Sequence, residues 1–217
     1  MKSSAYLIAA ILLVSLSGCI WPEEIETRVH YRDNNTPPQI TITWRNLSSM
    51  AENEKELKDD FDRLVEDLED STASDLVAGI DKELLIKDRQ IYLHNGKLQA
   101  RIAAVPLDEK FEDLSSNGER IMVVESESGG IFEGSSSNGE GTIVFELESG
   151  GIIETNGKLL KTDHNYIIVW PESLKEIYWI QRLIPETPNK DKEDWERWKQ
   201  NRAKLIKMFE AYQQKRN

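Results

Sequence analysis

Few side chains in this sequence are placed to do chemistry, and the first of them is its single cysteine, Cys19, which follows Leu16-Ser17-Gly18. A thiol can be a nucleophile, a metal ligand or half of a disulfide, and with no second cysteine an intramolecular disulfide is impossible. The three histidines, His30, His94 and His164, show no metal-ligand spacing, and no His-Glu-x-x-His occurs. Asp163-His164 has the acid and imidazole of a hydrolase. However, Gly134-Ser135-Ser136-Ser137-Asn138 lacks the second glycine of a nucleophile elbow and falls in a turn. Gly139-Glu140-Gly141-Thr142 begins like a dinucleotide loop, but Val144 stands where the third glycine belongs and a strand pattern follows. The 39 acids must include pairs at glycosidase distances, and sequence selects none of them. Six tryptophans are compatible with a sugar platform, although Trp44, Trp170 and Trp179 fall in strand patterns that suit a core. No catalytic residue, metal site or cofactor is therefore assigned.

The context of Cys19 is more informative. Lys2 supplies one positive charge, and Ala5 to Leu16 is apolar apart from Tyr6 and Ser15. Twelve residues are too few for a spanning helix, which needs about 20, but they suit the apolar region of an export signal. Leu16-Ser17-Gly18-Cys19 resembles the lipobox of bacterial lipoproteins. That resemblance covers only the targeting segment, residues 1–18 plus Cys19. It implies cleavage between Gly18 and Cys19, a thioether-linked diacylglycerol on Cys19, usually a third acyl chain on the freed amine, and attachment to the membrane through those chains. Each buried CH₂ contributes about 0.8 kcal/mol, so two or three chains hold a protein stably. By the sorting habit of that class, Ile20 after the cysteine, rather than an aspartate, implies the outer membrane if the cell has one. The alternative is an ordinary secretory signal followed by a free thiol.

Cleavage leaves 199 residues with 26 bases and 39 acids, a formal charge of −13 against −12 for the full chain. That size fits one domain, or one domain plus an appendage. So acidic a balance argues against nucleic acid, whose phosphates require clustered Lys and Arg.

The elements that follow read as α+β. Residues 19–24 are expected to be a short tether, at most about 18 Å long over five residues, which sets the domain close to the membrane with Trp21 at the lipid interface. Alternation of Ile25, Thr27, Val29 and Tyr31 with Glu26, Arg28 and His30 predicts a half-buried strand. A turn over Asp33 to Pro38 and a second alternating strand from Gln39 to Arg45 complete a hairpin. Ser49-Met50-Ala51-Glu52 reads as a capping box. The helix it opens runs to about Asp70, with Met50, Leu57, Phe61, Leu64, Val65 and Leu68 on one side. Ten acids against three bases over residues 52–70 make its other face acidic, and no EF-hand spacing is present.

From Glu83 to Trp170 short strand patterns alternate with turns. Asn-Gly pairs at Asn95-Gly96, Asn117-Gly118, Asn138-Gly139 and Asn156-Gly157 are each candidate tight turns, the clearest hairpin being Arg89 to His94 with Lys97 to Val105. An internal repeat with a 21-residue offset aligns Ser115-Ser116-Asn117-Gly118-Glu119 with Ser136-Ser137-Asn138-Gly139-Glu140, and Glu127 to Ile131 with Glu148 to Ile152. It predicts an antiparallel meander with one face on a core, two solenoid rungs being the alternative. Asn165 to Trp170 is a last strand. Glu172 to Leu183 leans towards helix through Leu174, Ile177, Tyr178 and Ile180, while Ile177, Trp179 and Gln181 suit a strand.

The expected domain therefore spans residues 25–188, followed by an amphipathic helix within residues 189–217. The seam of that helix is Trp195, Trp198, Arg202, Leu205, Phe209 and Tyr212. From Arg197 on it holds seven bases and one acid. Either the seam packs on the β body with the basic face near the acidic helix, or Trp195, Trp198, Leu205, Phe209 and Tyr212 dock a protein partner. The function expected is that of a lipid-anchored envelope lipoprotein with a non-catalytic binding or structural role. Two alternatives are an assembly subunit that docks a partner through its last helix, and a cell-envelope hydrolase using unidentified carboxylates.

Overall fold

Strand β1 (Ile20–His30) pairs antiparallel with β2 (Gln39–Ser49), from Ile20 opposite Ser49 to His30 opposite Gln39. The structure, a computed structural model, describes residues 20–32, 37–69, 84–106, 119–125, 134–135, 142–143, 151–161, 165–171, 173–182 and 192–216. The alternation in sequence sets the register: Ile25 faces Trp44 and Val29 faces Ile40 on the inner side, while Glu24 faces Arg45 on the other. One expectation needs correction. Residues 20–24 are not a tether, because β2 runs past Arg45 to Ser49 and offers its backbone groups to the chain from Ile20 onward. Ile20 and Pro22 are buried there, and pairing satisfies peptide groups that burial would otherwise strand.

The second hairpin is the one expected. Strands β3 (Leu84–His94) and β4 (Lys97–Pro106) are joined by Asn95-Gly96, whose φ angles of 51° and 71° make the turn that matches strand twist. Strand β4 lies along β2, with Ile42 opposite Ile102 and Trp44 opposite Ala100. On the far side of β1 lies β11 (Glu176–Arg182), with β8 (Gly151–Thr155) outside it. The sheet order is β3-β4-β2-β1-β11-β8, and every neighbouring pair is antiparallel. The fold is α+β on an antiparallel sheet, but not a meander in chain order, since the last strand inserts beside the first. The helix leaning for Glu172 to Leu183 is overturned with it: Ile177, Trp179 and Gln181 are buried opposite Val29, Thr27 and Ile25. The open edge of β1 requires a strand there, and tertiary pairing overrides a weak local preference.

A smaller sheet has the order β5-β10-β9, from β5 (Glu119–Glu125), β10 (Asn165–Pro171) and β9 (Lys158–Lys161), and β6 (Gly134–Ser135) pairs with β7 (Thr142–Ile143). Met122 and Ile143, equivalent in the repeat, thus belong to different sheets. Asn117-Gly118, Asn138-Gly139 and most of the repeat lie outside the described residues. Trp170 of β10 and Trp179 of β11 meet at 6.1 Å between ring centroids and join the two sheets in one core.

Two helices cover the large sheet. Helix α1 (Glu54–Glu69) buries Leu57, Phe61, Leu64 and Leu68. Its cap lies four residues later than the box read from sequence. Asn53 Oδ1 accepts from Glu56 N (3.0 Å), and Glu56 Oε2 accepts from Glu52 N (2.9 Å). Ser49 is instead the end of β2, where its hydroxyl donates to Asp60 Oδ2 (2.6 Å) and accepts from Ala51 N (2.9 Å). Helix α2 (Lys192–Arg216) packs across β2 and against α1.

Candidate functional site

The last helix is fastened to the start of β1 and the end of β2 by polar groups that its heptad-like spacing did not announce. Trp198 Nε1 donates to the carbonyl of Trp21 (3.0 Å), and Ser48 Oγ donates to the carbonyl of Trp198 (2.5 Å). Asn201 Nδ2 donates to the carbonyls of Ser49 (3.0 Å) and Ala51 (2.9 Å). Asn46, in β2, has a φ of 54° and immediately precedes Leu47, Ser48 and Ser49, all fully buried. Trp195 stacks on Trp198 at 4.9 Å and 18°, with Lys199 Nζ 5.0 Å from the Trp195 ring and the Arg202 guanidinium 5.7 Å from that of Trp198.

Of the five candidate docking residues, Trp198, Leu205 and Phe209 are buried in the core of the chain itself, while Trp195 and Tyr212 keep partial exposure. Tyr212 lies against Phe209 and edge-on to Phe61 of α1. Three of the five are thus taken up by the β body and α1, which leaves Trp195 and Tyr212 as the part of the seam open to a partner. The basic face does approach the acidic helix, through Arg197 with Glu52 (3.2 Å) and Lys204 with Glu54 (4.0 Å). Both pairs are solvated and contribute at most about 1 kcal/mol each.

Gly18 and Cys19 lie outside the described residues. Ile20, the next residue, is buried at 3% exposure and paired opposite Ser49. The structure therefore places the residue after the cysteine directly at the end of a six-stranded sheet, beside the first turns of α2.

The outer face of that sheet concentrates charge. Glu26, 6% exposed, is held by Arg45 (2.5 Å) and Arg28, which also reaches Glu176 (2.8 Å). Glu24 pairs with Arg182 (3.3 Å) and Arg45 (3.8 Å), and Asp88 with Arg101 (2.7 Å). Burial alone lowers the pKa of Arg28, but the charge of Glu26 and hydrogen bonds to Glu26 and Glu176 outweigh it and hold it above the ordinary value. Alternation along each strand puts acid and base side by side across neighbouring strands, so these carboxylates face guanidinium groups. A glycosidase instead needs two carboxylates facing each other across an open space. Among the described residues, no group of three or more His, Cys, Asp or Glu is disposed to hold a metal ion. His30 is exposed at the end of β1 and His94 lies beside Asn95 in the turn, 3.2 Å from its Nδ2. Asp163 and His164 lie outside the described residues.

Tyr178 borders this face. Its hydroxyl donates to Glu154 Oε1 (2.9 Å), and the Arg28 guanidinium sits 4.6 Å from its ring centroid. The hydrogen bond to Glu154, then burial, raise its pKa above the usual 10.0, with Arg28 opposing. The folded state therefore favours the neutral phenol. The resulting stabilisation is present below the unfolded-state pKa and is lost as pH rises through the folded one. In an ultraviolet titration of phenolate formation, Glu154→Gln should shift one tyrosine to lower pH relative to wild type. An unchanged titration would mean the bond is not made in solution.

A structural pair also emerges that sequence reading took for a tight turn. Asn156-Gly157 lies where the chain passes from β8 of the large sheet to β9 of the small one. Asn156 Oδ1 accepts from Trp170 Nε1 (2.9 Å) and Tyr178 N (2.9 Å), and its Nδ2 donates to the carbonyl of Glu176 (2.9 Å). The asparagine is there for its side chain, which ties both sheets together. The glycine is there for close approach, not for positive φ, because a Cβ on it would lie 2.6 Å from Trp170 Nε1.

The chain matches no protein-family model, no curated protein and no solved structure. No described helix is long and apolar enough to cross a membrane.

Proposed function

We propose that the protein is a bacterial lipoprotein, exported and anchored through acyl chains on Cys19, whose α+β domain serves the cell envelope in a non-catalytic binding or structural role. The observation that carries this reading is Leu16-Ser17-Gly18-Cys19 at the end of the apolar run from Ala5 to Leu16. The non-catalytic part rests on the charged face of the sheet, where acids are paired with arginines. In an envelope with two membranes, Ile20 after the cysteine favours the outer one. Docking through the helix seam is the weaker alternative, because Trp198, Leu205 and Phe209 are core.

Cys19→Ala tests the anchor. The wild type should label with fatty acid and sediment with membranes. The variant should lose the label and either appear in the soluble fraction or persist as uncut precursor. Recovery of the variant in the same labelled, membrane-bound form would refute the proposal.

A further inference from the structure

We propose that the end of the large sheet carrying Ile20 lies against the membrane, and that Trp21 and Trp195 together enter the lipid headgroup region and fix the orientation of the domain. This rests on the lipid-anchor reading above and goes further by naming the contact surface.

Consecutive Cα atoms are about 3.8 Å apart, and Ile20, one residue from the acylated position, is already hydrogen-bonded opposite Ser49. No free segment separates lipid from sheet, so the bilayer surface must lie within roughly 10 Å of the first residues of β1, a few bond lengths beyond one Cα step. An anchor on a long polar linker would let the domain tumble, whereas this mount does not.

What lies at that end fits a lipid interface. Because the strands are antiparallel, the start of β1, the end of β2 and the Asn95-Gly96 turn share one end of the sheet, as Lys97 Nζ shows by reaching Glu23 at 4.0 Å. Helix α2 brings its first turns to the same place, since the Trp198 indole donates to the Trp21 carbonyl and Trp195 stacks on Trp198. Of the six tryptophans, Trp44, Trp170, Trp179 and Trp198 are buried to 2% exposure or less. Trp21 and Trp195 are the two that keep partial exposure, and both are at this end. Tryptophan prefers the headgroup region, where its ring is half in apolar surroundings and its N–H is wet. Lys199 beside Trp195 can lay its stem along the interface with its ammonium in water. Leu85, the most exposed large apolar side chain described, is at the opposite end of the sheet, opposite Val105. The ten steps from Ile20 to His30 along β1, rising about 3.3 Å each, would then carry His30 up to roughly 33 Å beyond Ile20.

The test uses the purified, acylated full-length product in phosphatidylcholine vesicles whose acyl chains carry bromine, a contact quencher of tryptophan. Wild-type emission should fall relative to unbrominated vesicles. Trp21→Phe/Trp195→Phe should still float with the vesicles but lose that quenching, because its remaining tryptophans are buried. Flotation of the wild type without quenching, or equal quenching of the double variant, overturns the proposed contact and leaves the anchor intact. Failure of the wild type to carry lipid and float overturns the anchor, and the contact with it.

Discussion

Trp198→Ala should lower the unfolding free energy by about 3–5 kcal/mol, the range for truncating a buried large aromatic. The indole is 1% exposed between β2 and the body of α2, so little solvent can fill the space it leaves. The substitution also removes the donor to the part-buried Trp21 carbonyl and the ring on which Trp195 stacks, and the lost hydrogen bond adds to the cavity term. Denaturant unfolding followed by circular dichroism measures the loss. A large drop means that α2 is part of the folded unit. A drop under about 0.5 kcal/mol, the scale of ordinary surface substitutions, would mean that the helix sits elsewhere in solution and would return its seam to the candidate docking surfaces.

Gly157→Ala should cost about 1–3 kcal/mol, although it adds only a methyl group. The new Cβ would lie 2.6 Å from Trp170 Nε1 and 2.7 Å from Ile168 Cγ2, and neither neighbour can swing away. Ile168 is fully buried, and the Trp170 indole is held by Asn156 Oδ1 and packed on Trp179. Relief requires moving the junction between the two sheets. The same unfolding measurement reads it, and the near-ultraviolet signal of the tryptophans should change as well. A neutral result would show that the small sheet adjusts freely against the large one.

These two sites mark what the sequence disclosed and what it did not. Strands β1 to β4 and the inner faces of both helices were legible because alternation and helical spacing are local patterns that burial on one side enforces. The Asn95-Gly96 hairpin was legible for a similar reason, since its turn chemistry is complete within two residues. Strand β11 was not, because Leu174, Ile177, Tyr178 and Ile180 satisfy a helical spacing as well as a strand. What decides it is the open edge of β1, about 150 residues away in the chain. The same remoteness hid Asn156, which looks like a turn residue until Trp170 and Tyr178 are brought to it. The helix cap was misplaced because Ser49 fits the capping pattern in sequence, yet is committed to β2 and to Asp60. The charged face was visible as alternating Glu and Arg in β1, but the pairing of Glu26 with Arg45 and of Glu24 with Arg182 depends on strand order.

For the candidate site, Cys19 stands out in the sequence alone, and the structure shows the surroundings of Ile20, the next residue. Residues 19–24 read as a short tether because the alternating strand pattern starts only at Ile25. In the structure residues 20–24 belong to β1, and the Trp198 indole that donates to the Trp21 carbonyl brings Trp195 to the same end of the sheet.

The most direct measurement is the mass and sequence of the N-terminal peptide of the mature protein purified from membranes. The account predicts a peptide that starts at Cys19 and carries the added mass of a diacylglycerol, with or without a further acyl chain on its amine. A mature chain that starts at another residue, or at Cys19 with a free thiol, would contradict it.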